Sequence, residues 1–346
     1  MDTSINKMEG QAKEGERPVP CSERLAGERP VPCGERLTGE RPVPCSEKLA
    51  GERPVPCGER LTEERPTGKE KRLLFFDIDG TLAMPGYPPS EAVVRAMRSA
   101  REKGNLLILS TGRSAESVPP EVEEIGFDGY IYSAGGRIVM DGTELWSHTM
   151  SEDQVARIVD VLDGNEGVFF TLECDGGSFH SDVSSLNLAS LGSDGGSTEF
   201  RRMVQYMENE PEKLLKNRRG QPVFKISFFC MDGELMDKFE KRLSPYGKVV
   251  RFGNLLAESK ACAGEISEPG IDKGRALRVI CEYCGVDVSR SVAFGDSMND
   301  AEMLLAAGIG VAMGNAEPEV KKLADRVCES VEEDGIAREL ERLGLV

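Results

Sequence analysis

The architecture of this chain follows from one segment, Leu73-Leu74-Phe75-Phe76-Asp77-Ile78-Asp79-Gly80-Thr81-Leu82. Its four leading apolar residues predict a strand that is buried on both faces, as in the middle of a parallel sheet. The apolar run stops at Asp77, so this carboxylate is expected at the sheet edge where open α/β folds bind ligands. Asp77 and Asp79 point the same way if the backbone stays extended, and Gly80 lets the chain turn away. Two acids at one point indicate a site for a hard divalent cation such as Mg²⁺, although a strand ending in a polar turn gives similar text.

Three later segments also place polar residues after an apolar run or at a helix start. Leu106–Leu109 is followed by Ser110-Thr111-Gly112-Arg113, which offers hydroxyl and backbone donors to a phosphate oxygen. Lys273 lies at a predicted helix start, where a cation is unfavourable for the helix dipole unless an anion binds beside it. Ser291–Phe294 is a third buried strand, followed by Gly295-Asp296-Ser297-Met298-Asn299-Asp300.

These segments resemble the four motifs of the haloacid dehalogenase superfamily. The first motif, D-x-D-G-T, is complete at Asp77–Thr81, and the fourth, G-D-x-x-N-D, is complete at Gly295–Asp300. The resemblance covers residues 71 to 346 and implies a phosphoryl-transfer enzyme whose first acid, Asp77, forms an aspartyl-phosphate.

The resemblance also implies a role for each candidate residue. Asp77 would be the nucleophile and a metal ligand, and Asp79 would be the general acid and base while its backbone carbonyl binds the metal. Asp296 would ligate Mg²⁺, and Asp300 would act through the water shell of the ion or by holding Lys273. The residues expected to bind the phosphate are Ile78, Thr111, Gly112, Lys273 and Asn299.

The order of the motifs predicts the domain organisation. Residues 71–149 and 259–346 are expected to form a doubly wound, Rossmann-like parallel-sheet core, and residues 150–258 an α/β cap that selects the substrate. An insertion between the second motif and the lysine motif resembles the large cap of the Cof-type phosphatases, subfamily IIB.

Local patterns predict the elements of both parts. In the core we expect a helix from Ser90 to Lys103 and a hairpin over Arg137–Trp146 that turns at Asp141-Gly142. In the cap we expect helices around residues 155–162, 212–216 and 235–243, strands at 168–172, 223–230 and 248–252, and a loop over 175–198.

Residues 1–70 contain a 12-residue repeat in which Glu-Arg-Pro-Val-Pro-Cys recurs four times, from Glu16 to Cys57. Two prolines per repeat and few bulky apolar side chains predict a disordered tail. A docking tail with short motifs and a translated repeat upstream of the true start remain alternatives. Metal binding is disfavoured because both histidines, His148 and His180, lie outside the tail.

Deletion of residues 1–68 is therefore expected to leave specific activity and the unfolding midpoint almost unchanged. Enzyme assays and thermal unfolding of the full and shortened chains test this. A large loss of either property would show that the repeats pack on the rest of the protein.

The net charge of −17 in 346 residues disfavours nucleic acid and anionic membranes as partners. The sequence lacks an apolar run of membrane-spanning length and an apolar signal core at Met1–Gly10, so a cytoplasmic protein is expected.

Six of the ten cysteines lie outside the tail with irregular spacing, which predicts thiols and not disulfides. Cys281 and Cys284 form a lone Cys-x-x-Cys, too few ligands for structural zinc.

The sequence thus predicts a Mg²⁺-dependent phosphatase acting on a small-molecule phosphate ester, such as a sugar phosphate or a phosphorylated cofactor. A phosphomutase of the phosphomannomutase type shares the motifs and stays open. A non-catalytic docking protein that acts through the tail is the alternative of another class, and the intact acids Asp77, Asp79 and Asp296 count against it. The predicted cap contains no motif that names the substrate, and the oligomeric state stays open.

Overall fold

The computed structural model describes residues 71–182, 212–230, 233–254 and 262–346. Its strands form two sheets, one of eight strands and one of five. The chain builds part of the larger sheet, then the smaller sheet, and then returns to complete the larger one. This order confirms the predicted fold class, a parallel core with an inserted α/β cap.

The described chain contains thirteen strands. In chain order they are β1 (Leu73–Phe76), β2 (Leu106–Ser110), β3 (Gly129–Tyr132), β4 (Arg137–Met140), β5 (Thr143–Ser147), β6 (Val168–Cys174), β7 (Gly177–His180), β8 (Val223–Cys230), β9 (Lys248–Asn254), β10 (Cys262–Ser267), β11 (Ser291–Gly295), β12 (Ile309–Ala312) and β13 (Arg326–Val327). The larger sheet has the order β13-β12-β11-β1-β2-β3-β4-β5, and the smaller one has the order β7-β6-β8-β10-β9.

Strand β1 lies inside the larger sheet, between β11 and β2, and runs parallel to both. Its four residues, Leu73–Phe76, are fully buried, as the apolar run predicts. The carboxyl ends of three neighbouring parallel strands therefore meet at one edge of the sheet. Strands β3 to β5 close the other side with antiparallel pairing, and the β4–β5 hairpin turns at Asp141-Gly142 as predicted.

The structure describes eight α-helices. They are α1 (Glu91–Glu102), α2 (Pro120–Glu123), α3 (Glu152–Leu162), α4 (Gly233–Leu243), α5 (Lys273–Cys284), α6 (Ala301–Ala306), α7 (Pro318–Leu323) and α8 (Gly335–Arg342). Ser90 caps α1 as predicted, because its side chain accepts a hydrogen bond from the Val93 N–H. The Asp272 side chain caps α5 by accepting from the Arg275 N–H at 2.7 Å, which fixes where Lys273 begins its helix.

The smaller sheet is antiparallel, and α3 and α4 cover one of its faces with apolar side chains. The opposite face carries buried polar residues on β6, β8 and β10, including Thr171, Glu173, Ser227 and Ser267. Among them, Lys225 Nζ donates to Glu265 Oε2 at 2.5 Å, and both side chains are almost fully buried. A buried ammonium requires such a partner, since an unpaired charge in this position would strongly destabilise the fold.

Two predictions within the smaller sheet are wrong. The predicted loop over 175–198 contains β7, which pairs with β6 after the turn at Asp175-Gly176, while residues 183–198 lie outside the described residues. The predicted helix at 212–216 is instead extended around Leu214 and followed by a 3₁₀ turn at Leu215–Asn217. The backbone there pairs with β7, because the His180 N–H donates to the Lys213 carbonyl, and this pairing excludes a helix.

Strand β10 was not predicted, because its small and polar residues Ala263-Gly264-Glu265 break the apolar pattern. It is fully buried between β8 and β9 in the smaller sheet, although the sequence-based division assigns residues 259–346 to the core. The domain limits themselves stay a prediction.

Six cysteines are described, and none of them forms a disulfide, as predicted. Cys281 is buried and Cys284 is half-buried in α5. Among the residues that the structure describes, every helix is too short or too polar to cross a bilayer. The predicted tail, residues 1–70, lies outside the described residues.

Candidate active site

Four segments of the chain meet at the carboxyl edge of the larger sheet. Asp77 follows β1, Thr111 follows β2, Asp296 follows β11, and Lys273 opens α5. All four residues are at least 95% buried, as are Asp79, Asn299 and Asp300. Segments that lie up to about two hundred residues apart in the sequence thus form one enclosed polar site.

The Lys273 ammonium is fully buried and lies between two carboxylates. Its Nζ donates to Asp77 Oδ1 at 2.7 Å and to Asp300 Oδ1 at 2.6 Å. A buried ammonium stays charged only if such partners offset the loss of water. Lys273 is therefore held beside Asp77, the carboxylate predicted to be the nucleophile. Its ammonium lies at the carboxyl edge of the sheet.

Asp300 links this lysine to the turn after β11. While one of its oxygens accepts from Lys273, Oδ2 accepts from the backbone N–H groups of Asp296 and Ser297 at 3.0 and 3.2 Å. Both oxygens of Asp300 are thus engaged. This geometry favours the role of holding Lys273 over action through the water shell of the ion, the two possibilities that the sequence left open.

Asp77, Asp296 and Asp300 each offer a carboxylate oxygen, and these oxygens lie within 4.8 Å of one another. Together with Asp79 they give four carboxylates; Lys273 contacts two of them, Asp77 and Asp300, and Arg113 contacts Asp79. Counted as ionised, these six groups retain two negative charges. A divalent cation with a preference for oxygen ligands would balance them, so the residues present fit Mg²⁺.

Burial, together with the nearby charges of Asp300 and Asp79, raises the pKa of Asp77 to about 8 against the opposing effect of Lys273. For Lys273 burial acts in the lowering direction, but Asp300 and Asp77 outweigh it and raise the pKa above its usual range. The lysine therefore keeps its proton. A bound cation beside Asp77 would favour the ionised carboxylate that a nucleophile requires.

Asp79 has a different cationic partner. Its carboxylate accepts from Arg113 Nε at 2.9 Å and from Arg113 Nη2 at 2.6 Å. The backbone leaves the extended conformation after Asp77, because the Thr81 and Leu82 N–H groups both donate to the Ile78 carbonyl. Gly80 completes this turn with a φ of 83°, which confirms the predicted reason for glycine here.

The candidate phosphate-binding residues lie on the segments that meet at this sheet edge. Thr111 is fully buried and its Oγ1 accepts from the Arg113 N–H at 3.1 Å, while Gly112 lies between these two residues. Asn299 Oδ1 accepts from Ser297 Oγ at 2.6 Å, which orients the amide. Ile78 lies between the two acids of the first motif.

With this geometry established, comparison with known proteins identifies the family. The sequence model of the haloacid dehalogenase-like hydrolase family matches residues 74–340, well over half of the chain. This chain is a haloacid dehalogenase-like hydrolase. The family membership predicted from the four motifs is confirmed.

Relatives of this hydrolase include phosphatases. The phosphatase YwpJ of Bacillus subtilis is 27% identical over 289 residues, which cover 79% of this chain and 99% of YwpJ. The HMP-PP phosphatase of Klebsiella pneumoniae is 25% identical over 252 residues, which cover 72% of this chain and 86% of that enzyme. These relatives confirm the predicted enzyme class, a phosphoric monoester hydrolase of the superfamily.

Solved structures show the same fold. The sugar phosphatase BT4131 of haloacid dehalogenase subclass IIB is 21% identical, with a TM-score of 0.63, and the match covers 80% of this chain and 100% of that one. The core and the inserted five-stranded sheet of this hydrolase therefore follow the subclass IIB arrangement, as the position of the insertion predicted.

Two features of the hydrolase site were missed at the level of sequence. Arg113 was quoted in the second motif without a role. The turn Ser133–Gly135 was not recognised, although Ser133 and Ala134 adopt positive φ angles of 49° and 56°. This strained turn supports the site, because the Ala134 N–H donates to the Thr111 carbonyl and a Cβ on Gly135 would lie 2.6 Å from the Asp272 carbonyl oxygen. The only sequence signal was the pair Gly135-Gly136 after a strand.

The smaller sheet of the hydrolase contacts the loops around the site. Strand β7 packs against the 3₁₀ turn Ala115–Ser117, and β9 packs against the turn Met298–Asp300. Lys248 of β9 also forms an ion pair with Glu302 of α6. The site is therefore enclosed between the sheet edge and the inserted domain, which agrees with the low exposure of Asp77 and Asp79, 5% each.

Proposed function

We propose that this hydrolase is a Mg²⁺-dependent phosphatase that cleaves a small phosphorylated metabolite through an aspartyl-phosphate on Asp77. The observation that carries the proposal is the buried contact of 2.7 Å between Asp77 and Lys273 at the carboxyl edge of the sheet. A carboxylate there can attack phosphorus, and the ammonium beside it attracts the anionic ester.

In the proposed first step, an oxygen of Asp77 bonds to phosphorus while the bond from phosphorus to the leaving oxygen breaks. The charge of Lys273 offsets the repulsion between the carboxylate and the dianionic ester and stabilises the transferring group. The groups that would orient the phosphate are the side chains of Thr111 and Asn299 and the backbone at Ile78 and Gly112.

The cation belongs to the same proposal. Asp77, Asp296 and the backbone carbonyl of Asp79 would hold Mg²⁺, and Asp300 would act through Lys273, which it contacts at 2.6 Å. When bound, the ion would stabilise negative charge on the transferring phosphoryl group.

Asp79 would carry the protons of both steps. It would donate one to the departing alkoxide, and would then take one from the water that attacks the phosphorus of the aspartyl-phosphate. That attack breaks the bond between phosphorus and the Asp77 oxygen, so phosphate leaves and Asp77 is restored. The site needs no other general base for this cycle.

The class of substrate is proposed from the relatives and from the enclosure of the site. The proteins named above include an HMP-PP phosphatase and a sugar phosphatase. Because the inserted domain packs against the loops Ala115–Ser117 and Met298–Asp300, the leaving group must fit beneath it. A sugar phosphate or a phosphorylated cofactor meets this condition, and such a substrate agrees with the cytoplasmic location expected from the sequence.

A screen of phosphorylated metabolites with purified protein and Mg²⁺ tests the proposal. We expect release of inorganic phosphate from one class of small ester. Conversion of a hexose phosphate into an isomeric ester would instead identify a phosphomutase. Absence of turnover for every ester, with folded protein, would contradict the proposal.

Asp79→Asn is expected to slow the reaction in a way that depends on the leaving group. Asparagine keeps the backbone carbonyl but cannot donate to an alkoxide, and loss of general acid–base catalysis costs about 10²–10⁴-fold. p-Nitrophenolate needs little protonation, so an aryl phosphate should lose less first-step rate than a sugar phosphate. Pre-steady-state kinetics should show a burst of p-nitrophenol before a slower steady state. Equal losses for both esters would remove the general-acid role from Asp79.

A further inference from the structure

Arg113 makes a two-point contact with the proposed general acid. Its Nε donates to Asp79 Oδ2 at 2.9 Å and its Nη2 donates to Asp79 Oδ1 at 2.6 Å. Only 12% of the arginine side chain and 5% of the aspartate side chain are exposed. A planar guanidinium that meets both carboxylate oxygens fixes the rotation of the carboxylate as well as its position, which a lysine could not do.

Arg113 is itself held at both ends. Its Nη1 donates to the Ser117 carbonyl at 2.8 Å, so the guanidinium is anchored on the side away from Asp79. Its backbone N–H donates to Thr111 Oγ1, and its carbonyl accepts from the Ser133 N–H at 2.8 Å. The strained turn that begins at Ser133 therefore fixes the backbone of Arg113. Because the Arg113 side chain contacts both carboxylate oxygens of Asp79, a fixed Arg113 also restricts the position of this carboxylate.

The contact also sets the direction of the Asp79 carboxylate. It faces Arg113, whereas the group of acids with oxygens within 4.8 Å of one another comprises, among the described residues, Asp77, Asp296 and Asp300. Proton transfer to a leaving group requires one Asp79 oxygen to point at that group. One of the two contacts must then open, while the other keeps the carboxylate from rotating freely.

We infer that Arg113 is a positioning residue that sets the orientation of Asp79 for proton transfer. The inference rests on the proposed function, which gives Asp79 that role. Because Arg113 acts through Asp79, its loss affects esters in proportion to their need for a proton at the leaving oxygen. Binding of the ester does not depend on it.

Arg113→Met and Arg113→Lys, assayed with p-nitrophenyl phosphate and with an alkyl ester from the screen such as glucose 6-phosphate, test the inference. For Arg113→Met we expect the first-step rate with the alkyl ester, measured by pre-steady-state kinetics, to fall about 10–100-fold while the affinity for the ester stays unchanged, the range typical when a supporting contact is removed. The aryl ester should lose less. Arg113→Lys should lie between, because an ammonium replaces only a point contact. It also carries the test if the methionine variant does not fold.

A double-mutant cycle separates positioning from a structural role. In the Asp79→Asn background, Arg113→Met should cause no further loss, because the group that it positions is already inactive. Arg101→Met is the matched control, since Arg101 pairs with Asp128 at 2.9 Å away from the site, and its kinetics should equal those of the wild type.

The inference is overturned if the affinity for the ester falls, if both esters lose first-step rate equally, or if the losses of the two variants multiply. The inference fails, while the proposed function stands, if Asp79→Asn shows the leaving-group effect and Arg113→Met does not. If the wild type hydrolyses neither ester, or if Asp79→Asn lacks the effect, the proposed roles fail with it.

Discussion

Asp77→Asn is expected to abolish turnover, with kcat falling by at least about 10⁴-fold, the scale seen when a covalent nucleophile is removed. An amide is a poor nucleophile, and the substitution also removes the negative charge that faces Lys273 at 2.7 Å. The loss should be equal for alkyl and aryl esters, since both require the same attack on phosphorus. This pattern distinguishes Asp77 from Asp79, whose loss should depend on the leaving group.

The loss should occur without loss of the fold. Burial and the charges of Asp300 and Asp79 together raise the pKa of Asp77 to about 8 against the opposing effect of Lys273, so a neutral side chain relieves repulsion in the metal-free site. The thermal unfolding midpoint should stay the same or rise. Asp153→Asn, the same change at an exposed residue of α3, is the matched control and should be fully active. Activity of Asp77→Asn within tenfold of the wild type would contradict the proposed nucleophile.

Removal of divalent cations is expected to have an equally large effect. Activity should vanish in EDTA and return when Mg²⁺ is added in excess, because the proposed ligands offer only oxygen and their carboxylates lie within 4.8 Å of one another. Without the cation, these charges repel a dianionic ester. Assays with added Mg²⁺, Ca²⁺ and Zn²⁺ measure the preference, and we expect Mg²⁺ to be the most effective.

Direct binding tests the same site without turnover. Titration calorimetry of the metal-free protein with Mg²⁺ should show one site, and Asp296→Asn should weaken it strongly, whereas Asp153→Asn should bind as the wild type does. Full activity in chelator-treated buffer, or unchanged Mg²⁺ affinity of Asp296→Asn, would contradict the proposed metal site.

The sequence predicted the central part of the fold because two independent signals agree there. Leu73–Phe76 is apolar throughout, and the acid that follows it marks the strand end, so both the strand and its place in a parallel sheet could be inferred. The same pattern located Asp296 after β11. Lys273 could be assigned because a lysine at a helix start is unfavourable for the helix dipole unless an anion binds beside it, and the structure places its ammonium against Asp77.

Other features depend on contacts between distant segments and left little trace in local sequence. Strand β10 is stabilised by its neighbouring strands and by the pair Lys225–Glu265. Its own small and polar residues lack the apolar pattern from which a strand is predicted. The extended backbone at Leu214 forms because it pairs with β7. Arg113 was present in the second motif, but its partner Asp79 lies 34 positions away, and only the fold brings the two together.

The aspartyl-phosphate on Asp77 is the central claim, and chemical trapping tests it most directly. The Asp79→Asn variant should accumulate this intermediate from p-nitrophenyl phosphate, because activation of the attacking water is impaired. Rapid quenching, reduction with borohydride and peptide mass spectrometry should then reveal homoserine at position 77, and no conversion in the absence of substrate. Release of p-nitrophenol with position 77 unmodified at every quench time, or modification of a different carboxylate, would contradict the account.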